Sequence, residues 1–351
     1  MQRIMSLATL AVLGGLGYLF LQGGGLDQIA VTPGSATPQT SPYLAPGSSN
    51  GPLPASAVYA NASVAPQQPV PNGEAARGTA RSPTIRVASF NIEVFGNAKA
   101  GKAYVMDALA KIVRQFDVVA IQEIRSQNEY LIPNFVELIN RAGTRFDHVI
   151  GPRVGYTNVK EQYAYLFNTD RVQVDHQSVY TVGDPDHLLH REPLVATFRT
   201  RGVDPAAAFT FTLVNIHTDP NEVEKEVAAL AEVYRVVRRS SRGEDDIILL
   251  GDFNADDRHL GRLGQLPGIH PLIAGVSTNA RQTKQYDNLI IHQPSTTEYA
   301  GRSGVFDVKQ FIERSLKDTL LVSDHFPVWA EFSVYECDFA GRIASRRRRG
   351  R

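Results

Sequence analysis

The chain has 351 residues, with 36 basic residues balancing 36 acidic ones and a single cysteine, Cys337. That length gives one large domain or two average ones, with ample apolar content for a core. Balanced charge excludes a global field that would hold a polyanion, so any nucleic-acid contact must come from local arginines or a bound cation. One cysteine excludes an intramolecular disulfide and a cysteine-based zinc site.

After Arg3 comes the run IMSLATLAVLGGLGYLFL, and no further charge occurs until Asp27. The run suits a membrane span of ~20 residues and is long for a signal-peptide core. Residues 1–21 therefore read as an uncleaved anchor, with secretion after cleavage near Gly23-Gly24-Gly25 as the alternative. The only nearby positive charge precedes the run, which places the amino terminus in the cytoplasm and the rest outside. Residues 22–83 hold ten of the twenty prolines and only four charged residues. Lacking apolar periodicity, such a stretch cannot bury enough surface to offset chain entropy, and it reads as a disordered tether.

From Thr84 to about residue 340 the pattern is globular. The β-rich runs TIRVASF, DVVAIQ, YAYLF, PLVATF, FTFTLVNI, NLIIH and PVWAEFSV alternate with a few helical stretches. Ile247 to Leu250 has no polar interruption, as in a strand buried on both faces. The clearest helix spans 221–239, where Val223, Val227, Leu230, Tyr234 and Val237 repeat at helical spacing. Residues 102–114 and 129–141 also read as helices. More strands than helices predicts an α/β fold of two packed sheets with helices outside. The closing RRRRGR, within 341–351, reads as a solvated basic tail.

Polar residues gather at the strand ends. RVASFN ends in Asn91, VVAIQE in Glu123, FTLVNIH in His217 and IILLGD in Asp252, with Asn254 two further on. QYDNLII starts with Asp287, and SDHFP sets Asp324 and His325 just before the last strand. Carboxylates and amides without cysteine select a hard cation such as Mg²⁺, Mn²⁺ or Ca²⁺. Glu123, Asp324 and Asn91 are the candidate ligands. Two histidines, each oriented by a carboxylate, can supply acid and base near neutral pH. In DFN, strand alternation predicts that Asp252 and Asn254 project the same way; in SDHFP, Asp324 and His325 should project oppositely.

SFNIEVFG, IQEIR, KEQYAYLF, REPLVATF, VNIHTDP, LLGDFNAD, YDNLII and SDHFPVWAEF together resemble the endonuclease/exonuclease/phosphatase superfamily, most closely its deoxyribonuclease I branch. The resemblance covers about residues 84–335. It implies a four-layer α/β sandwich, two mixed sheets flanked by helices, and a metal-dependent phosphodiesterase that hydrolyses DNA. It pairs His217 with Glu161 and His325 with Asp287, and sets Asp252 and Asn254 beside the scissile phosphate. It also implies that Arg191 contacts a DNA phosphate and that Arg125 enters the minor groove. His325–Asp287 is assigned as the base and His217–Glu161 as the acid, a direction the residues alone leave open. Val159 stands where the branch carries a tyrosine, and the branch's calcium loops are not recognisable in VGDPDHLLHREP, which leaves structural Ca²⁺ open. A sphingomyelinase-like lipid phosphodiesterase is the nearest alternative. A membrane-tethered binding module with a decayed site would predict a broken histidine–carboxylate pair, and none is broken. Beyond DNA and the membrane, no protein partner is inferred.

Overall fold

The structure, a computed structural model, describes Ala30–Val31 and residues 83–336 apart from Arg242. The predicted anchor at 1–21, nearly all of the tether and the basic tail lie outside the described residues. Two sheets, their strands numbered in chain order, form the frame. The first runs β1 (Ala30–Val31), β6 (Val172–Gly183), β7 (Leu194–Thr200), β8 (Thr210–His217), β9 (Ile247–Asp252), β11 (Asp287–His292) and β10 (Ile269–Pro271). The second runs β12 (Tyr299–Val305), β13 (Val328–Ser333), β2 (Thr84–Phe95), β3 (Val118–Ile124), β5 (Gln162–Asn168) and β4 (Phe146–Ile150). Both are mixed: β2–β3 and β8–β9 are parallel, and their other pairs are antiparallel. Ala30 and Val31, within the predicted tether, pair with Gly183 and Val182 at the edge of the first sheet.

Alternation of side chains explains the layers. Ile85 and Val87, Val118 and Ala120, Phe211 and Leu213, and Ile248 and Leu250 meet in one buried cluster, which fills the space between the sheets. The residues between them point outward to helices. Ala88, Phe90, Val119 and Ile121 pack with α2 (Ala103–Val113), which follows the short α1 (Asn97–Ala100), and with α3 (Leu131–Asn140), while Val214, Ile216, Ile247 and Leu249 pack with α4 (Val223–Ser240). The order is helix, sheet, sheet, helix. The uninterrupted run at Ile247 is therefore a strand covered on both faces. The expected helices at 102–114, 129–141 and 221–239 are present with ends shifted by a residue or two. β4, β6, β10 and β12 were not legible; β6 and β12, each with exposed residues, lack an apolar repeat.

One end of this sandwich is polar. Inward-facing positions continue through Asn91, Glu161, His217, Asp252 and Asp287, all at the same end of the two sheets. Just below them Gln122 Nε2 donates to Asn215 Oδ1 at 2.6 Å, and Asn215 Nδ2 donates to the carbonyls of Ile121 and Ala164. Both side chains are fully buried. This polar tie joins β3 of one sheet to β8 of the other immediately beneath the site.

Candidate active site

Asp252 is the hub. Its Oδ2 lies 3.7 Å from Nε2 of both His217 and His325, and it accepts a 3.0 Å hydrogen bond from Asn91 Nδ2. β9 brings it beside His217 on β8 and Asp287 on β11, its direct partners in the two ladders. Gly251, one residue earlier, makes this pairing possible: a Cβ there would stand 1.9 Å from the Ile216 carbonyl oxygen.

Each histidine has its own carboxylate. His217 Nδ1 donates to Glu161 Oε1 at 2.6 Å, and His325 Nδ1 to Asp287 Oδ2 at 2.8 Å. Thr278 Oγ1 donates to the same Asp287 oxygen and fixes it. Both Nε2 atoms are thereby aimed at Asp252. Burial lowers the His325 pKa, but Asp287 and Asp252 outweigh it and hold the imidazole well above its ordinary value. His217 is likewise raised, since Glu161 and Asp252 overcome its burial. Burial raises the Asp252 carboxyl.

Glu123 approaches from the second sheet. By strand alternation it would point to the outer face with Val119 and Ile121. It instead has a positive φ of 62°, at a register break in the β3–β5 pairing, and this bulge turns its carboxylate into the site. Asn91 Nδ2 donates to Glu123 Oε1 at 3.2 Å, the Val94 N–H to Oε2 at 2.8 Å, and Arg125 pairs with Oε2 at 2.9 Å. Burial raises this carboxyl, yet His217, Val94 and Arg125 together hold it below the usual range.

The structure brings together every residue expected at the site, with three differences from the expected roles. Asn91 Nδ2 bridges Glu123 and Asp252 and its Oδ1 accepts the Glu93 N–H, so it also positions carboxylates of both sheets. Asn254 does not follow strand alternation: with φ at 48° it has left the strand, and its amide donates to the Thr218 carbonyl. Arg191 is only 7% exposed; its Nε lies 3.1 Å from Glu161 Oε1 and its Nη1 donates to the His217 carbonyl. It braces the first histidine pair through Glu161 and the His217 backbone. Arg125, by contrast, is partly open to solvent at the rim and lies 3.7 Å from Glu161. Asp324 and His325 differ as the alternation requires: the Asp324 side chain is half exposed and that of His325 buried.

Sequence reasoning missed Glu93 and Lys99. Glu93 lies two residues past Asn91; burial raises its carboxyl, and so do Asp324 and Glu123. Its spacing from Asn91 was the available signal. Lys99 is buried, donates to the carbonyls of Ile92 and Val322, and lies 3.8 Å from Glu93. The oxygen-only set of Glu93, Glu123 and Asp324 fits a hard divalent cation. At this end of the sheets it is Asp252, Asp287 and His325 that place ligand atoms within 4.8 Å of one another, and of these Asp287 and His325 are already joined by a hydrogen bond.

Two oriented imidazoles facing one buried carboxylate, with acidic oxygens alongside, are the equipment of a phosphodiester hydrolase. A model of the Endonuclease/Exonuclease/phosphatase family matches residues 88–325, well over half of the chain, and this chain belongs to that family. It is similar to deoxyribonuclease-1-like 1 of Sus scrofa, 34% identical over 261 residues, covering 71% of this chain and 81% of the relative. Deoxyribonuclease gamma of Rattus norvegicus is 34% identical over 263 residues, covering 70% and 83%. An endonuclease/exonuclease/phosphatase family protein of Bacteroides thetaiotaomicron superposes with a TM-score of 0.50 at 16% identity, covering 71% of this chain and 97% of that one, which shows the shared fold alone.

Proposed function

We propose that this chain is a metal-dependent endonuclease that hydrolyses DNA outside the cytoplasm. The observation that carries the reading is the convergence of both histidine–carboxylate pairs on Asp252. Asp252 and one neutral imidazole orient a water and take its proton as its oxygen attacks phosphorus. The second imidazole, protonated, gives its proton to the leaving oxygen. Glu161 and Asp287 hold both rings with Nε2 toward the reacting atoms. Glu123, with Glu93 and Asp324, would hold a hard divalent cation, which when bound supplies charge neutralisation at the phosphate. Arg125, partly exposed beside Glu123, offers a cation to the DNA backbone or groove. The deoxyribonuclease relatives favour DNA over a lipid phosphodiester. The apolar run at 1–21 supports a membrane tether.

The test is full-length protein assayed on supercoiled plasmid and on sphingomyelin micelles, with Mg²⁺, with Mn²⁺ and with EDTA. Nicking of plasmid that EDTA abolishes is expected, and Glu123→Ala should lower turnover at least ~100-fold. Sphingomyelin cleavage without nicking would overturn the DNA reading, and full activity after exhaustive dialysis against EDTA would overturn the metal requirement.

A further inference from the structure

A second group of carboxylates meets at the other end of the sandwich. Asp246 immediately precedes β9, Glu298 precedes β12, and Glu336 follows β13; one oxygen from each lies within 4.8 Å of the others. Glu244 and Asp245 form a second such trio with Asp246. β9, six residues long, begins just after Asp246 and ends at Asp252, which puts the two about 20 Å apart along extended chain.

Acidic clusters on a surface are common and mean little, but this one is interior. Asp246 is 4% exposed, and its Oδ1 is buried without a hydrogen-bond partner. The Thr296 hydroxyl, also buried and outside hydrogen-bonding geometry, lies close enough to favour the Asp246 anion. Among the described residues no basic side chain pairs with Glu244, Asp246 or Glu336. Burial and mutual repulsion push Asp246 up to about 9, Glu244 to about 8 and Glu336 to about 7. A buried carboxylate oxygen with no donor is among the costliest groups to leave unmatched.

We propose that Asp246, Glu298 and Glu336, with the Thr296 hydroxyl, form a structural site for a divalent cation of the calcium type. The donors are all oxygen and come from three separate connections. Such an irregular set suits Ca²⁺, which takes six to eight oxygens in flexible geometry, better than Mg²⁺, which demands an octahedron. The site has a structural consequence. Asp246 leads into the first sheet, whereas Glu298 and Glu336 flank strands of the second, so one ion ties the sheets together at this end. Glu336 is already anchored there, because its Oε1 accepts the Thr210 N–H at 2.8 Å.

Full-length protein stripped with EDTA and returned to chelator-free buffer tests this by thermal denaturation with CaCl₂ alone. For a site of about ten-micromolar affinity, about 1 mM calcium should raise Tm by about 5 °C or more. Glu123→Ala, which removes a carboxylate at the catalytic end, should keep that rise. Asp246→Asn and Glu336→Gln should lose it, and metal-free Asp246→Asn should melt no lower than wild type near pH 7, since the amide is as neutral as the protonated carboxyl it replaces. No rise in wild type, loss of the rise in Glu123→Ala, or its persistence in both cluster variants would overturn the site. Should Asp246→Asn not fold, Glu336→Gln, at the half-buried rim, decides by the same measurement.

Discussion

Arg191 and Glu226 illustrate how burial sets the role of a single side chain. Arg191 faces Glu161, which is fully buried, so truncating the arginine strands a carboxylate in the interior. Arg191→Ala should cost about 3–5 kcal/mol of stability. It should also lower kcat with little change in KM, because His217 loses its brace. Urea unfolding together with steady-state nicking checks this; a raised KM with unchanged stability would instead put Arg191 on a DNA phosphate. Glu226 on α4 is 1% exposed and accepts the His190 N–H. Burial pushes its carboxyl up to about 7. The folded pKa thus exceeds the unfolded value of about 4.3, and the native state binds the extra proton between them. Its contribution to stability is full below about pH 4.5 and is lost as pH rises through 7. The loss is on the order of 3 kcal/mol. Glu226→Gln should therefore gain on wild type between pH 5 and pH 8 in urea titrations; an equal difference at both pH values would reject the burial argument.

Among the elements, the parallel pair β8–β9 carries the site. His217 lies opposite Asp252 in that ladder, and Gly251 sits against Ile216. A methyl at 251 would meet backbone, which cannot swing aside as a side chain can, so the strands must separate. Gly251→Ala should cost about 3 kcal/mol or more and reduce activity at any temperature where the protein stays folded. Thermal melts with plasmid nicking below the transition check it. Retention of wild-type rate would show that the spacing of β8 and β9 does not set the His217–Asp252 geometry.

At the scale of the molecule, catalysis and the proposed cation site occupy opposite ends of one sandwich. The catalytic end is closed by side-chain contacts across the sheets, from Gln122–Asn215 up to Asn91–Asp252. No helix among the described residues is long and apolar enough to cross a membrane. If residues 1–21 act as the anchor, the full chain should stay with carbonate-washed membranes, and protease added to spheroplasts should release an active fragment cut within 22–83. Recovery of intact protein in the soluble cytoplasmic fraction would reject the tether.

How much was legible in the sequence follows from the same geometry. Strand alternation is local, so the chain alone set Asn91, His217, Asp252 and Asp287 at strand ends, while Glu161 came only through the family resemblance, and uninterrupted apolar runs marked strands covered on both faces. The family resemblance then paired His217 with Glu161 and His325 with Asp287, and each pair is joined by a hydrogen bond in the structure. Tertiary structure decided what local periodicity cannot carry. The bulge at Glu123 reverses a side chain through one positive φ, and Asn254 escapes the alternation in the same way. Arg191 is buried because Glu161, thirty positions earlier, is already inside. Asp246, Glu298 and Glu336 become neighbours only when two sheets close on each other, since their meeting depends on contacts between segments far apart in the chain.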